Sequence, residues 1–438
     1  MKCFLATLTI LTSLGFAEWH IEIVDTGGGD FCSLALDSSG NPHISYARYF
    51  SSLKYAFWNG SYWEIETVDA TFNTGAYNSL ALDALGNPHI SYSDHSDEDD
   101  DLMYAFWNGS SWQIEIVDSE GVVGKSTSLA LDSSGNPHIS YWDFTNNDLK
   151  YAFWNGSSWD IETVDAVGNV GQYSSLALDS SGIPHISYRD QTNDDLKYAV
   201  WNGLYWVNET VDSEGEVGLN SSLALDSLGN PHISYLDCYS DHDLKYASWN
   251  GSSWEIEIVD SESRVSCGTS LALDSLGNPY ISYGNGYPDY DLQCASWNGS
   301  SWEIEIVDSE GYMGSSLALD SLGNPHISYF NNSYSNLTYA YFTLEGIEDD
   351  LVISEYSLSG VSPNPVIGTA CIHFGVPKAS LVRFSVFDIS GRLVSESREI
   401  EYSSGYHDIQ LEDFSSGIYF CRMITDDFTA TQEFVVIK

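Results

Sequence analysis

The sequence predicts an all-β chain: a seven-bladed β-propeller with four antiparallel strands per blade, its last blade closed by the N-terminal strand, followed by a small β-sandwich. Three observations predict it. A unit of 46–49 residues recurs seven times, marked by the proline of SxGNPHISY at Pro42, Pro88, Pro137, Pro184, Pro231, Pro279 and Pro325. Within each unit apolar and polar residues alternate in short runs, and helical periodicity is absent. A WxIExVD-type segment also occurs seven times, but out of phase: its first copy, residues 19–25, precedes the first SLALD, and the seventh unit has none after it. A linear stack would leave a strand unpartnered at each end, whereas a closed ring lets the seventh unit borrow residues 19–25 and pair them with residues 337–342.

In chain order, residues 1–17 (MKCFLATLTILTSLGFA) place a Lys before an apolar run and end on a small residue, the pattern of a secretory signal cleaved after Ala17. No Cys follows at a lipoprotein-like position, and no later stretch is long and apolar enough to span a bilayer. Export is therefore expected. Residues 18–344 form the ring. In the third unit, residues 128–132 (SLALD) make a short strand and 133–136 a turn. Residues 137–141 make a second strand with Pro first, where a missing N–H is tolerated. After a polar loop, residues 149–154 (LKYAFW) make the third strand. Asn155-Gly156 is a hairpin turn, and residues 159–165 alternate as the outer strand.

Hydrophobic residues at 43% and aromatics at 14% are ample for a packed core. The formal net charge is −48, and residues 18–344 hold 48 Asp and Glu against 8 Lys and Arg. Such a chain repels nucleic acid phosphates and anionic membranes; it suits cations or neutral ligands. A monomer is expected. Six Cys follow the signal, none in phase with the repeat, so no disulfide framework builds the fold. Export permits bridges, and Cys371 with Cys421 and Cys267 with Cys294 are the candidate pairs. There is no CxxC.

The repeat sorts scaffold from site, because what recurs in every blade must serve the blade. The HISY histidines (His43, His89, His138, His185, His232 and His326, with Tyr280 in the sixth unit) read as hydrogen-bonded scaffold rather than a ring of metal ligands. Asn59, Asn108, Asn155, Asn250 and Asn298 match the N-glycosylation pattern, yet each begins a hairpin turn, which explains their regular placement. Paired tryptophans such as Trp107 with Trp112 read as cross-strand packing, with sugar stacking as the alternative.

Strand direction puts the second-to-third loops and the blade-to-blade loops on one face. These loops vary, and function is expected there. Their non-recurring aromatic and charged residues make a ligand surface of Arg48, Tyr49, Trp142, Asp143, Arg189, Asp190, Asp237, Tyr239 and Tyr287, suited to a glycan or a surface protein through stacking and charge-assisted hydrogen bonds. The acidic stretch with Asp94, Asp97 and Asp99 is the candidate Ca²⁺ site, although it lacks regular calcium-loop spacing; turn capping is the alternative. No other cofactor is implied. No catalytic residue is singled out: carboxylate pairs are everywhere, and no nucleophile elbow, P-loop or zinc motif appears. The expected function is binding, most simply of carbohydrate or a surface protein. The alternatives are a polysaccharide-degrading hydrolase or lyase and a structural surface repeat without a ligand.

Residues 345–354 read as a polar linker. Residues 355–438 change composition and hold strand-like runs at 370–374, 381–387, 406–411, 417–422 and 433–437, a β-sandwich pattern. Residues 362–365 (SPNP, with Pro363, Asn364 and Pro365), 386–394 (VFDISGRLV, with Gly391 and Arg392), 416–420 (SGIYF, with Gly417 and Tyr419) and the terminal 434–438 (FVVIK, ending at Lys438) follow in order. This tail resembles the C-terminal sorting domain of type IX secretion substrates. The resemblance implies recognition by that secretion machinery, passage across the inner and outer membranes of a Bacteroidetes-like bacterium, and a secreted or cell-surface destination. It implies no activity for the ring.

Overall fold

The structure is a computed structural model; it describes residues 17–48, 51–96, 100–238, 242–262, 264–286, 289–309, 313–331, 334–344, 356–362, 370–402, 405–411 and 414–436. The expected signal at 1–16, the linker at 345–354, Tyr49, Asp97, Asp99, Tyr239, Tyr287, Pro363, Asn364, Pro365 and Lys438 lie outside the described residues. Every regular element among the described residues is a β-strand. Glu18–Thr343 form one compact unit, and the residues from Leu344 onward belong to a second.

The first unit contains seven four-stranded antiparallel sheets. Blade 1 runs Phe31–Leu36, Pro42–Ala47, Leu53–Trp58 and Trp63–Asp69, and the next five blades repeat this order. Blade 7 takes three strands from Met313–Leu319, Pro325–Asn331 and Asn336–Leu344; its outer strand is Ala17–Asp25, hydrogen-bonded to Asn336–Leu344. The seventh blade is thus shared by the two ends of the ring, as the phase of the repeat predicts. The first strand of each blade packs against the first strands of both neighbours, all the way around.

Three belts of identical hydrogen bonds lace the blades together. At the centre, the SLALD serine of one blade accepts the leucine N–H of the next: Ser33 from Leu80, Ser79 from Leu129, Ser128 from Leu176, Ser175 from Leu223, Ser222 from Leu271 and Ser270 from Leu317. Ser316 accepts from Leu34 at 3.0 Å and closes the circle. Midway out, the buried HISY tyrosine donates to the aspartate that ends the previous blade's outer strand, as Tyr141 does to Asp118 at 2.6 Å and Tyr188 to Asp165 at 2.7 Å. Across the seam, Tyr46 donates to Asp25 at 2.8 Å. At the rim, each outer-strand indole donates to a glutamate of the previous blade, with Trp19 to Glu305 at 3.1 Å closing this belt too. Every bond joins residues that the repeat itself makes equivalent, so one unit's sequence specifies both sides of every junction.

Between the belts, apolar residues fill each junction. Ile44, Ile90, Ile139 and their equivalents are fully buried, and each cluster draws on two adjacent blades. The backbones approach closely where the first strand enters. At Gly171, φ is +103°, and a Cβ would sit 2.8 Å from the Cα of Leu149 in the previous blade. Gly171→Ala should therefore destabilise the ring by about 1–3 kcal/mol through backbone strain alone, read as a drop in denaturation midpoint at unchanged slope.

The second unit holds two sheets. One orders Ser357–Ser362, Ala370–Val376 and Gly405–Leu411; the other orders Leu393–Glu396, Ser380–Asp388, Gly417–Ile424 and Thr429–Val436, with Ile400–Tyr402 also paired to Ser380–Asp388. Phe374 of one sheet meets Phe384 of the other edge-on at 4.9 Å, and Ile372, Cys421, Met423 and Phe434 complete a core between the sheets. The disulfide pairs expected from the sequence do not form, because one member of each is free. Cys294 and Cys421 are free thiols. Cys294 occupies the third-strand tyrosine position and packs among Leu317, Ile327 and Val307; burial pushes it up to about 12. Cys421 points into the sandwich core, where burial likewise pushes it up to about 12. Both act as small apolar side chains.

Candidate functional site

The face carrying the variable loops is laced by backbone bonds. Blade-to-blade segments donate to the second-to-third loops, as Val123 N–H does to Asp100 O at 2.8 Å and Val170 N–H to Asn147 O at 3.0 Å. Most of the described candidate residues on this face serve that lacing. Asp143 is fully buried: its Oδ1 accepts the Asn146 N–H at 3.0 Å, its Oδ2 accepts the Asn146 side-chain amide at 2.8 Å, and Lys150 Nζ lies 3.0 Å away. Burial works to raise its pKa, but these donors outweigh it and hold the carboxyl below the ordinary range. Asp190 caps its own loop in the same way, through Thr192 and Asn193. Asp237 pairs with Lys245 at 2.9 Å. Arg189 is buried, with Nη2 on Asp194 at 2.7 Å and Glu216 at 2.9 Å, while its Nε has no partner among the described residues.

Trp142 is buried and meets Phe144 edge-on at 5.1 Å. Phe144 is half exposed, with Lys125 Nζ 4.4 Å above its ring. Arg48 is exposed, and its backbone closes a tight loop with Ser51. Asp94 accepts the Ser96 N–H at 2.8 Å. Among the described residues no three His, Cys, Asp or Glu side chains converge as a metal ion would require. In the described part of the acidic stretch Asp94 caps a turn, while Asp100 lies 3.3 Å from His95 and 3.3 Å from Lys125.

The opposite face carries the tight turns. Each SxGN turn is organised by its leading aspartate: Asp37 Oδ1 accepts the N–H groups of Ser39 and Asn41, both at 2.8 Å, and Oδ2 accepts the Asn41 amide at 2.8 Å. The HISY histidine sits beside this turn. In blade 1 its Nε2 is 3.8 Å from Asp37, and its Nδ1 bonds the hydroxyl of Tyr55 on the third strand. Burial lowers the histidine pKa more than the aspartate raises it, so the ring favours the neutral imidazole. The NGSx asparagines organise the other turns, as Asn155 Oδ1 does for the N–H groups of Ser157 and Ser158.

Between these turns, at the blade junctions, lie pockets built from equivalent residues. At the junction of blades 1 and 2, a cavity of about 230 Å³ is lined by His43, Phe57, Glu66, Asn87, Trp107 and Trp112. His43 stacks on Phe57 at 5.9 Å, and the two indoles meet edge-on at 5.8 Å. Trp112 Nε1 donates to Glu66 Oε2 at 3.0 Å; among the described residues the second carboxylate oxygen makes no other hydrogen bond. Equivalent cavities of about 240 Å³ sit between blades 2 and 3 and across the seam between blades 7 and 1. A larger one, about 320 Å³, lies between blades 4 and 5, where Val200 stands in place of Phe57, Phe106 or Tyr341. These residues recur from blade to blade, and by sequence they read as scaffold. The one sequence signal for the pockets is the second recurring tryptophan, on the third strand, which the structure leaves out of the indole–carboxylate belt.

In the second unit, Gly391 adopts φ +79° in a turn closed by Gly391 N–H on Asp388 O at 2.8 Å. The guanidinium of Arg392 returns to Asp388 at 3.0 Å. Gly417 opens a central strand, and Tyr419 is buried with its hydroxyl on Ser415 O at 2.9 Å. The sorting-motif glycines and tyrosine thus shape the sandwich, while Arg392 stays exposed.

Residues 360–438 match the model of the secretion system C-terminal sorting domain. No curated protein matches the chain. Among solved structures, an ulvan lyase of a new polysaccharide lyase family is similar at TM-score 0.55 and 13% identity, over 74% of this chain and 95% of that one. A chain of the mitotic checkpoint complex is similar at TM-score 0.50 and 13% identity, over 77% and 98%. AofleA from Arthrobotrys oligospora reaches TM-score 0.46 at 14% identity, over 67% and 90%. At these identities the likeness to the lyase and to the checkpoint chain shows the fold alone. The tail settles the destination: this chain is a seven-bladed β-propeller carrying a type IX secretion sorting domain, exported to the cell surface or the medium.

Proposed function

We propose that the exported ring is a recognition module that binds carbohydrate. The observation that supports this most strongly is the equivalence of the blade junctions, which present aromatic faces beside carboxylate, amide and imidazole groups again and again around one face. A repeating surface suits a repeating polymer, because each added contact raises avidity without a new kind of site. Flat aromatic rings beside hydrogen-bonding groups match the two-sided chemistry of a sugar. The acidity of the ring favours neutral glycans over sulfated or uronic ones. That a polysaccharide lyase is built on a similar ring supports the idea that this architecture accommodates sugar polymers.

The test is retention of the full chain on immobilised neutral and anionic polysaccharides and on a glycan array, with released unsaturated and reducing ends assayed in parallel. Retention on neutral glycans without product release is expected. Product release would move the ring to the degradative enzymes, and capture of a surface protein with no glycan binding would overturn the carbohydrate reading.

A further inference from the structure

We infer that the sugar sites are the blade-junction pockets on the tight-turn face, each taking one or two rings of a neutral saccharide, so that one chain binds several sugar units of the same polymer at once. This rests on the carbohydrate reading above and adds the place, the size and the valency.

The pockets have the features that such a ligand requires. Their volumes, from about 230 to about 320 Å³, lie around the lower end of the range for small-molecule pockets, about 300 Å³, which suits a sugar ring or two. One wall is aromatic: the third-strand indole (Trp58, Trp107, Trp154 or Trp249) is partly exposed at the rim of its pocket. The nearby glutamate holds the neighbouring indole with one oxygen, and its second oxygen can accept a hydroxyl in a charge-assisted bond. The Asp–Asn turn and the His–Tyr pair fix the remaining wall. A uronate or sulfate would meet that glutamate and the surrounding negative field, which rejects anionic sugars.

The junctions also differ in a graded way. Val200 enlarges the pocket between blades 4 and 5. The sequence places Ser248 and Ser296 at the equivalent position of blades 5 and 6, Ile183 where the turn asparagine would be in blade 4, and Phe342 where the third-strand tryptophan would be in blade 7. These substitutions tune individual pockets while the three belts stay intact.

The experiment uses the full chain with ¹⁵N-labelled indoles, titrated with methyl pyranosides of glucose, galactose, mannose and N-acetylglucosamine. A parallel arm measures retention on the polysaccharides above. The expected results are saturable shifts of the junction indoles and, in the variant with Trp58, Trp107, Trp154 and Trp249 all changed to Ala, about a tenfold or greater loss of retention. These four residues stand outside the indole–carboxylate belt, and an unchanged melting temperature checks the fold. Should that variant unfold, Val200→Phe, which gives the blade 4–5 pocket the residue of other blades, should change the sugar dependence of the Trp249 shift and leave those of Trp58, Trp107 and Trp154 as they were; an unaltered Trp249 titration would overturn the pocket assignment. Full retention by the four-Trp variant, with loss on Phe144→Ala, would overturn the pockets and return the site to the variable-loop face. Absence of any glycan binding by the unchanged chain would overturn the carbohydrate reading itself.

Discussion

Removing Ala17–Asp25 should open the ring and cost it most of its stability. The deletion strips blade 7 of its outer strand and breaks two of the three belts at the seam. Trp19 no longer reaches Glu305, and Trp63 loses Glu22. Tyr46, whose side chain is almost fully buried, loses its acceptor Asp25, which Lys54 also binds at 2.8 Å. A buried hydroxyl left without a partner costs about 1–3 kcal/mol, and losing the buried Val24 costs about 1.5–3 kcal/mol more. Added to a strand of lost ladder bonds, this rivals the roughly 5–15 kcal/mol total of an ordinary domain. The bare edge of Asn336–Leu344 then invites pairing with other chains. Thermal melting and sedimentation velocity check both parts: a large fall in Tm and concentration-dependent self-association are expected, and a synthetic AEWHIEIVD peptide should reverse them by strand addition. An unchanged Tm would show that the ring does not depend on its seam.

Acid should weaken the ring in two stages. Burial lowers the pKa of His43, His89, His138, His185, His232 and His326 below 6.5. Below that pH the unfolded chain binds more protons than the folded one. Stability is therefore complete above about 6.5 and falls with pH until each folded histidine titrates. The second stage belongs to Asp37, Asp83, Asp132, Asp226, Asp274 and Asp320. Burial works to raise them, but the turn asparagine and backbone N–H groups outweigh it and hold them below 3.8. Their contribution is complete above 3.8 and is lost as pH falls through the depressed values. Melting temperatures from pH 8 to pH 3 should show both steps. His89→Tyr, which copies the natural Tyr280, should shrink only the first. A Tm that stays level from pH 8 to pH 5 would contradict the buried-histidine account.

Most of the ring was legible because its information is repeated. Seven copies separate what a blade needs from what one loop happens to contain, and the displaced residues 19–25 declare the seam. The central Ser–Leu belt was not legible, since a backbone N–H leaves no mark in a sequence. The internal bonding of the loops was not legible for a different reason. Asp143 and Arg189 have the residue types of a ligand site, but a ring with 8 cations among 48 carboxylates pairs most of its cations internally, as Lys150 does with Asp118 and Asp143. The same filter that sorted histidine correctly also hid the pockets, because scaffold side chains can line a cavity as well as fill a core. Three short strands of the tail, Ser357–Ser362, Leu393–Glu396 and Ile400–Tyr402, lack strong alternation and emerged only from their partners.

The seam also sets an order of events. Ala17–Asp25 lies ahead of every other strand in synthesis, yet its partner Asn336–Leu344 is made some 300 residues later. The earliest strand is thus the last to be matched, and the longest loop in the fold closes at the final step, where topology makes folding slow. A chain interrupted anywhere before that partner leaves its own beginning unmatched. The ring therefore carries a built-in check on completeness: only a polypeptide translated through its seventh unit can finish the circle.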